Sequence, residues 1–466
     1  MDQTRSSTNA IKGKAQQVHF ALWIASCFVF AIWAIRHHGF ALKILVLGVI
    51  CLPYIASDLV TGRPINLPSL HPSSWLAIAV FLVATIARPR EVFRLVIRDP
   101  IPNFLIAVVL TIITATAVLR DGSSGLALLV NQIAVPYLLF VWTQFEIRRD
   151  TSYARSLAIY LVTLGVLQSF LSLLQWSLGQ TFFYSSQMAA YPWFASNDRQ
   201  LGTLDHPLTM SLLLSLCIPL TANVKRITLQ VPAVVFLLIG ILLSQSRTGL
   251  ALAIVGLLGL VLRKRASTGT RVAGISVIGI GFFIFFQSSL AEGVYLRIED
   301  DNGSSHARSL AIRFFFEDLD QYLFGGGGIG SSYATASSGG LATSLESAFL
   351  MYAFDLGLIL TVVYFGLQAV LAFRRKAGQE ALPGTKTAAF FALLIVQTYS
   401  SVATDSAAGV LVWVAVGLAV PIASSRFRAT RHSVEEALAD RKLPSAARRN
   451  PSPPARWHPS LSKAES

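Results

Sequence analysis

Long apolar runs recur along almost the whole chain, and they limit the possible folds more than any other feature. A helix needs roughly 20 apolar residues to cross the hydrocarbon core of a bilayer. The runs near that length are 19–35, 40–57, 74–87, 101–119, 125–142, 156–178, 207–223, 229–243, 248–262, 272–287, 346–372, 387–403 and 406–424. Because several of them are short, we expect about twelve spans in an all-α, polytopic integral membrane helical bundle.

The composition supports a membrane protein and argues against a nucleic-acid-binding one. Of the 466 residues, 53% are hydrophobic and 13% are charged, roughly half of the charged share of a soluble domain. The net charge is +14, but the basic residues form short clusters beside apolar runs, as membrane topology requires. We therefore expect the lipid bilayer, and no nucleic acid, as a partner.

The chain divides into three regions by composition. Residues 1–18 form a polar N-terminal tail, 19–424 a transmembrane domain, and 425–466 a basic tail that we expect to be disordered and cytoplasmic. The first apolar run leads to no small-residue cleavage site, so we interpret it as an uncleaved span.

Clusters of Lys and Arg predict the orientation of the bundle. The clusters are Arg88, Arg90, Arg94 and Arg98; Arg148, Arg149 and Arg155; Lys225 and Arg226; Arg263, Lys264, Arg265 and Arg271; Arg374, Arg375, Lys376 and Lys386; and the tail after Arg426. Cytoplasmic loops are rich in such residues, and alternating spans place all six clusters in the cytoplasm. One conflict remains, because thirteen spans would put Lys12 and Lys14 outside. Either the first run is not a full crossing, or the early runs are wrongly divided.

The same alternation predicts an external face built from four connections: 179–206, the corner at Arg247, 288–345, and Thr404–Asp405. Segment 288–345 is the long one, and we expect it to form a large external loop domain with a functional role. Its apolar residues recur at helical spacing among charged ones: Leu310, Ile312, Phe314, Phe315, Leu319 and Tyr322.

A glycine tract, 325–330, follows this amphipathic pattern and would end the helix. It lacks the Lys-Ser/Thr of a nucleotide-binding loop. A flexible or tightly turning hinge is therefore the better interpretation.

Arg247 lies in the sequence Ser-Gln-Ser-Arg-Thr-Gly, 244–249, between two apolar runs. An arginine at a bilayer edge is costly unless it faces water, a carboxylate or a phosphate. The alternative is an arginine that snorkels or sets the topology.

Two further polar groups stand at the start of predicted spans. Arg199, Gly202, Thr203 and His206 precede Pro207, where a capped helix start with solvated charges is the alternative to a binding role. Glu346 begins the run 346–372, where a carboxylate also suits the helix dipole. It would be a general base if a hydroxyl acceptor lay beside it.

These motifs together resemble the O-antigen ligase and polymerase family, the Wzy/WaaL superfamily of bacterial envelope glycosyltransferases. The match covers about residues 100–420. It rests on Arg199-x-x-Gly-Thr, on the 244–249 corner, and on a third block. That block runs from Arg308 through the glycine tract to Glu346-Ser347 and the Asp-Leu-Gly-Leu sequence at 355–358.

The resemblance implies a multi-pass protein of the bacterial inner membrane whose active site faces the periplasm. The implied substrate is a saccharide on undecaprenyl diphosphate, and other polysaccharide export or assembly proteins are implied partners. Family ligases have a His-Asn pair where this chain has Glu346-Ser347. This departure favours a polymerase of O-antigen or exopolysaccharide, with a ligase that transfers glycan to lipid A core as the alternative.

For such a transfer, we assign the diphosphate to Arg199 and Arg247, with Arg308 as a third candidate. Glu346 is the expected base, and His206 is both a substrate-binding candidate and the competing base. We expect no cofactor and no metal, since arginines can neutralise the leaving group. A lipid-linked-sugar or polysaccharide transporter and a non-catalytic scaffold of an assembly complex remain alternatives.

Overall fold

The computed structural model describes residues 2–64, 67–189, 199–263, 304–338, 345, 347–375, 379–398 and 406–423, together with isolated residues between 268 and 287. The described chain consists of helices, the connections between them and two two-residue strands. It divides into two units, a large one (1–375 and 381–422) and a small one (376–380 and 423–466). All of the contacts discussed below lie within the large unit.

The helices follow each other with short connections. In chain order, the α-helices are α1 (Asp2–Ala34), α2 (His38–Cys51), α3 (Ser57–Thr61), α4 (Pro72–Ala87), α5 (Pro89–Arg98), α6 (Pro100–Thr116), α7 (Gly122–Leu129), α8 (Val135–Arg149), α9 (Thr151–Leu178), α10 (Ser185–Met188), α11 (Pro207–Leu220), α12 (Ile227–Leu243), α13 (Arg247–Val261), α14 (Ser304–Glu317), α15 (Leu319–Tyr322), α16 (Ser331–Ser338), α17 (Ala348–Leu356), α18 (Leu358–Phe373), α19 (Thr385–Ile395) and α20 (Ser406–Ala419). Short 3₁₀ or π segments cover Tyr54–Ala56, Ala117–Asp121, Val130–Ala134, Thr221–Asn223 and Val396–Thr398, and the strands are β1 (Gln379–Glu380) and β2 (Ile422–Ala423).

Several of these helices could cross a membrane, as the apolar runs predict. Among the described residues, four are long and apolar enough by length and composition: Lys14–Ala34, Pro100–Leu119, Gly125–Arg149 and Thr151–Leu178. Shorter apolar helices are Pro72–Ala87, Pro207–Asn223, Ile227–Leu243, Arg247–Val261, Leu358–Phe373, Thr385–Thr398 and Ala407–Ala419. The described chain is thus helical apart from its connections and two short strands, and several of its helices could cross a membrane, while the number of twelve spans stays a prediction. Nine of the sixteen residues of the run 272–287 lie outside the described residues.

Two predicted runs are not single helices. The run 40–57 bends by 94° between His38–Cys51 and Tyr54–Thr61, where Pro53 has no backbone N–H to continue the helix. The run 346–372 breaks at Gly357, whose φ of 92° and ψ of 153° lie outside the helical region. An apolar sequence therefore does not reveal where the helix is interrupted.

Helix α9 connects two ends of the bundle. Near its start, Arg155 donates from Nη2 and Nε to the carbonyl of Asn223 at 2.6 and 3.1 Å. Twenty residues later, about 30 Å along a helix, Gln175 Nε2 donates to the carbonyl of Gly202 at 2.7 Å. We call these the basic end, which holds Arg155, and the corner end, which holds Gly202 and the 244–249 corner.

Several of the predicted cytoplasmic clusters meet at the basic end. Arg148, at the end of α8, pairs with Asp99, and Arg374 Nη2 lies 3.6 Å from the other oxygen of the same carboxylate. Nearby, His38 Nδ1 lies 3.1 Å from Glu146 Oε1. The sequence therefore groups these arginines at one end of the bundle correctly.

The N-terminal half of α1 lies at the corner end. Gln16 Nε2 donates to the carbonyl of Arg63 at 2.5 Å, and the same connection is tied to Asp205 Oδ2 by the N–H of Tyr54 at 2.8 Å. This is the end to which thirteen alternating spans assign Lys12 and Lys14. Residues 2–18 are also helical and continuous with the first apolar run.

Helices α14 and α15 confirm the amphipathic pattern of the long connection. They form a small second hydrophobic core with α17, in which the rings of Phe315 and Tyr322 lie 5.4 and 4.7 Å from that of Phe354. Ile312 departs from the pattern, because 46% of it is exposed.

The glycine tract packs directly against the broken end of α17. The N–H groups of Gly327 and Gly328 donate to the carbonyls of Phe354 and Asp355 at 2.9 and 3.1 Å. A Cβ on Gly326 would lie 2.2 Å from the carbonyl of Asp355, so only glycine permits this approach. The expected tight turn is present, with φ of 101° at Gly328. These hydrogen bonds fix the tract to the end of α17, so it is not a flexible hinge. We call the contact of residues 326–328 with Phe354 and Asp355 the clasp.

Asp355, for which the sequence gives no role, completes this clasp. Its Oδ1 accepts from the N–H of Ser332 at 2.8 Å and from Ser331 Oγ at 3.2 Å, at the first turn of α16. A carboxylate at a helix N-terminus satisfies N–H groups that have no partner within the helix. The buried Asp355 thus fastens the long connection to α17.

Candidate functional site

The corner that carries Arg247 is a three-residue reversal between α12 and α13. Gln245 adopts the left-handed region with φ of 49°, which turns the chain at once after α12. Ser246 then caps α13, because its Oγ accepts from the N–H of Gly249 at 3.1 Å. Arg247 is the first residue of α13, where the helix dipole contributes partial positive charge.

The Arg247 side chain is half-buried at this helix start. Within the part of the chain that the structure describes, its guanidinium makes no hydrogen bond and no ion pair. A permanent charge in such a place attracts an anion. The alternative, an arginine that only snorkels, fits the same position. It does not account for the second arginine, Arg199, which is bound at the same corner.

Arg199 docks on the end of α12. Its Nε donates to the carbonyl of Ser244 at 2.9 Å, and the N–H of Gln200 donates to the carbonyl of Leu243 at 3.0 Å. These carbonyls belong to the last turn of a helix, which leaves them without intrahelical partners. The structure therefore brings two of the predicted arginine motifs to one corner, although 45 residues separate Arg199 from Ser244 in sequence.

Two glutamines of α9 hold the loop that follows Arg199. Gln175 donates to the carbonyl of Gly202 and accepts from its N–H, at 2.7 and 3.1 Å. Gln168 does the same for Thr203, with Nε2 to Oγ1 at 2.7 Å and the Thr203 N–H to Oε1 at 2.9 Å. Both glutamines are fully buried. Each makes a two-point contact that fixes the backbone.

The residue types at 202 and 203 follow from these contacts. Gly202 has φ of 62°, and a Cβ there would lie 2.3 Å from Gln168 Oε1. Thr203 both accepts from Gln168 and donates from Oγ1 to the carbonyl of Ile50 at 2.9 Å. The Gly-Thr pair of the predicted motif is therefore structural, since it positions the loop that carries Arg199.

His206 caps the start of α11 beside this loop. Its Nδ1 accepts from the N–H of Leu208 at 3.1 Å. Burial, and then the positive charge of Arg199, lower the pKa of His206 to about 3. The ring is thus neutral, and because Nδ1 is the acceptor, the proton lies on Nε2. In this conformation His206 suits a hydrogen-bond donor better than the competing role of base.

The other two predicted site residues lie partly or wholly outside the described residues. Arg308 lies in α14, but its side chain is outside the described residues, as is the whole of Glu346. Glu346 stands between Leu345, which is buried in the second core, and Ser347, which caps α17 by accepting from the N–H of Leu350 at 3.4 Å. The structure describes no hydrogen bond or ion pair between Arg247 and α14 or α17.

The sequence interpretation missed Gln168 and Gln175. A signal was present, because polar residues at positions 168, 172 and 175 recur at helical spacing inside an otherwise apolar run. Polar side chains within a membrane span face the protein interior, and that rule alone would have marked this face of α9.

The described residues contain no group of three or more His, Cys, Asp or Glu side chains that could hold a metal ion. The geometry fixes Arg199 on the carbonyl of Ser244, three residues before Arg247 at the start of α13. Comparison of the chain with protein-family models, with curated proteins and with solved structures found no match.

Proposed function

We propose that this protein is a membrane glycosyltransferase that uses an undecaprenyl-diphosphate-linked oligosaccharide and polymerises O-antigen or exopolysaccharide. The observation that carries the proposal is the hydrogen bond from Arg199 Nε to the carbonyl of Ser244, which joins two arginine motifs at one corner. Neither motif is specific alone, but their meeting fits a doubly charged ligand better than two independent topology signals.

The reaction needs stabilisation of the charge that grows on the leaving diphosphate. Arginine is suited to this task because its planar, permanently charged group holds phosphate oxygens in a fixed geometry. The start of α13 adds a second source of positive potential at Arg247. A corner directly between two apolar helices also lies where the diphosphate of a membrane-bound carrier would be.

In the proposed step, the acceptor hydroxyl oxygen attacks the anomeric carbon of the donor saccharide. A glycosidic C–O bond forms while the bond from the anomeric carbon to the phosphate oxygen breaks. Undecaprenyl diphosphate leaves with the electron pair, and the hydroxyl proton passes to a base, for which Glu346 is our candidate. His206 is assigned to substrate binding as a neutral donor. The proposed step uses neither metal nor cofactor.

Glu346-Ser347, in place of the His-Asn of family ligases, favours a polymerase over a ligase in this proposal. We place the reaction on the periplasmic face of the bacterial inner membrane, where other polysaccharide assembly or export proteins would be partners. Deletion of the gene discriminates the two activities: single lipid-linked repeats accumulate without a polymerase, whereas intact long lipid-linked chains accumulate without a ligase.

The catalytic test compares Arg247→Lys and Glu346→Gln with the control Arg226→Lys, which changes an exposed arginine beside an apolar helix. Polymer length is measured at matched protein levels. Loss of polymer in the two test variants and not in the control supports the assignment. Wild-type polymer in either test variant removes that residue from the mechanism.

A purified-component assay separates the transferase from a transporter. Full-length protein is reconstituted with lipid-linked oligosaccharide and no energy source. Chain extension supports the transferase, and translocation without extension contradicts it.

A further inference from the structure

Helix α5, at the basic end, carries two exposed stripes of different chemistry. Phe93 and Ile97 lie one turn apart and are 65% and 54% exposed. Arg90 and Arg94 also lie one turn apart and are exposed. At 3.6 residues per turn, the two stripes lie side by side. Arginines that border an apolar face are typical of a helix in the plane of a membrane surface.

The position of α5 in the chain fits such a surface. Arg88 ends the apolar helix α4 and at the same time begins α5, with no loop between them. Leu82 and Ile86, near the end of α4, are exposed apolar residues as well. Helix α5 therefore begins where a membrane-crossing α4 would leave the hydrocarbon.

An apolar cavity of about 80 Å³ adjoins the same junction. Most of its wall is apolar and comes from α1, α4 and α8, through Ala34, Val80, Phe81, Trp142 and Phe145. His38 of α2, Arg88 of the α4–α5 junction, and Glu91 and Val92 of α5 also line it. An apolar cavity of roughly 150 Å³ accepts benzene, so this one has room for a few methylene groups. Water is a poor occupant, since it needs two or more polar partners.

We propose that α5 and this cavity bind an anionic phospholipid of the leaflet at the basic end. Phe93 and Ile97 enter the acyl region, and part of one acyl chain fills the cavity. Arg88, Arg90 and Arg94 contact the phosphate and its headgroup, with Glu91 as the one acidic side chain among them. Three positive charges against one negative charge favour an anionic over a zwitterionic headgroup. This inference depends on the membrane character of the protein and not on the glycosyltransferase proposal.

The test uses the full-length protein in detergent with equal amounts of phosphatidylglycerol and phosphatidylcholine. Retained lipids are counted by native mass spectrometry. We expect the wild type to retain phosphatidylglycerol preferentially, and R88Q/R90Q/R94Q to retain about tenfold less of it. Arg88 Nη1 lies 3.6 Å from Glu91 Oε2. R90Q/R94Q leaves this pair intact and should lose a smaller part of the retained phosphatidylglycerol. F93S/I97S should retain less of both lipids.

The matched control is K225Q/R226Q/R375Q, which removes the same number of positive charges from the basic end. It should retain as much phosphatidylglycerol as the wild type. If this control lost as much phosphatidylglycerol as the α5 triple variant, lipid retention would depend on total charge alone, and the proposed site would be wrong. Equal retention of both lipids by the wild type, or full retention by the α5 triple variant, would also overturn it.

Discussion

Gln175 and Gly202 form a closed two-point contact in which the side-chain amide of one residue replaces a backbone partner for the other. The contact is fully buried and joins the far end of α9 to the loop that carries Arg199. A buried amide that is satisfied at both ends is rigid, because neither hydrogen bond can exchange with water. The position of Arg199 at the corner therefore depends on the position of α9, which holds the loop through Gln175.

Gln175→Leu should destabilise the protein and displace Arg199. The substitution leaves the N–H and carbonyl of Gly202 without these partners, at roughly 1–3 kcal/mol for each buried group. We expect a lower melting temperature in detergent and, under the proposed function, a loss of polymer length. Ser177→Ala, at an exposed position two residues later on α9, is the control. If the melting temperature and the polymer length of Gln175→Leu equal those of the wild type, the contact between Gln175 and Gly202 does not position the loop.

Gly202→Ala should be more harmful than Gly179→Ala, although both glycines are left-handed with φ of 62° and 63°. Both substitutions introduce backbone strain of about 1 kcal/mol. Only Gly202 also meets an obstacle, since its Cβ would lie 2.3 Å from Gln168 Oε1, whereas no heavy atom lies within 4 Å at Gly179.

The difference between the two melting temperatures isolates the steric part of the effect. If Gly202→Ala and Gly179→Ala melt alike, the close packing of Gln168 on Gly202 is not present in solution. Gly202→Ala should lower the melting temperature less in a Gln168→Ala background than in the wild type, because the obstructing oxygen is already absent there.

The sequence predicts the helices of this fold better than the contacts between them. Apolar length identifies most helices, and clustered arginines group correctly at the basic end. The bend at Pro53 and the break at Gly357 are missed because the flanking residues stay apolar through both interruptions.

In the candidate site too, the sequence predicts which segments lie near each other but not the contacts between them. That Arg199 and the 244–249 corner share one end follows from alternating helices, which the sequence supplies. That Arg199 donates to Ser244 depends on how far α12 extends and on the register of Gln168 and Gln175 along α9. The length of α12 and the register of α9 are set by packing between segments far apart in sequence. A local sequence pattern therefore cannot predict them.

Asp355→Ala should loosen the long connection without unfolding the bundle. The substitution removes the acceptor for Ser331 Oγ and the Ser332 N–H, while the main core does not include this residue. We expect faster cleavage by limited proteolysis within residues 325–338. Asp355→Asn keeps an acceptor oxygen and should be cleaved more slowly than Asp355→Ala. The control Asp320→Ala changes an exposed carboxylate in α15. Equal cleavage of all three variants would contradict the clasp.

Because His206 is buried in its neutral form, the free energy of unfolding should decrease in mild acid. Its folded-state pKa of about 3 lies below the ordinary value of 6.5, so only the unfolded chain takes up the proton between these values. The stability that the neutral ring provides is complete above pH 6.5. It decreases as the pH falls toward 3, by at most about 1.4 kcal/mol per pH unit.

His206→Asn tests this dependence while it keeps a capping acceptor at the start of α11, since Asn caps helices well. The drop in melting temperature between pH 7.5 and pH 5 should be smaller in this variant than in the wild type. It should not vanish, because burial also lowers the pKa of His71, to about 4, at the start of α4. His19→Asn, at an exposed position, should behave as the wild type. An unchanged drop in His206→Asn would mean that the ring is not kept neutral by burial, and His206 would regain its place as a candidate base.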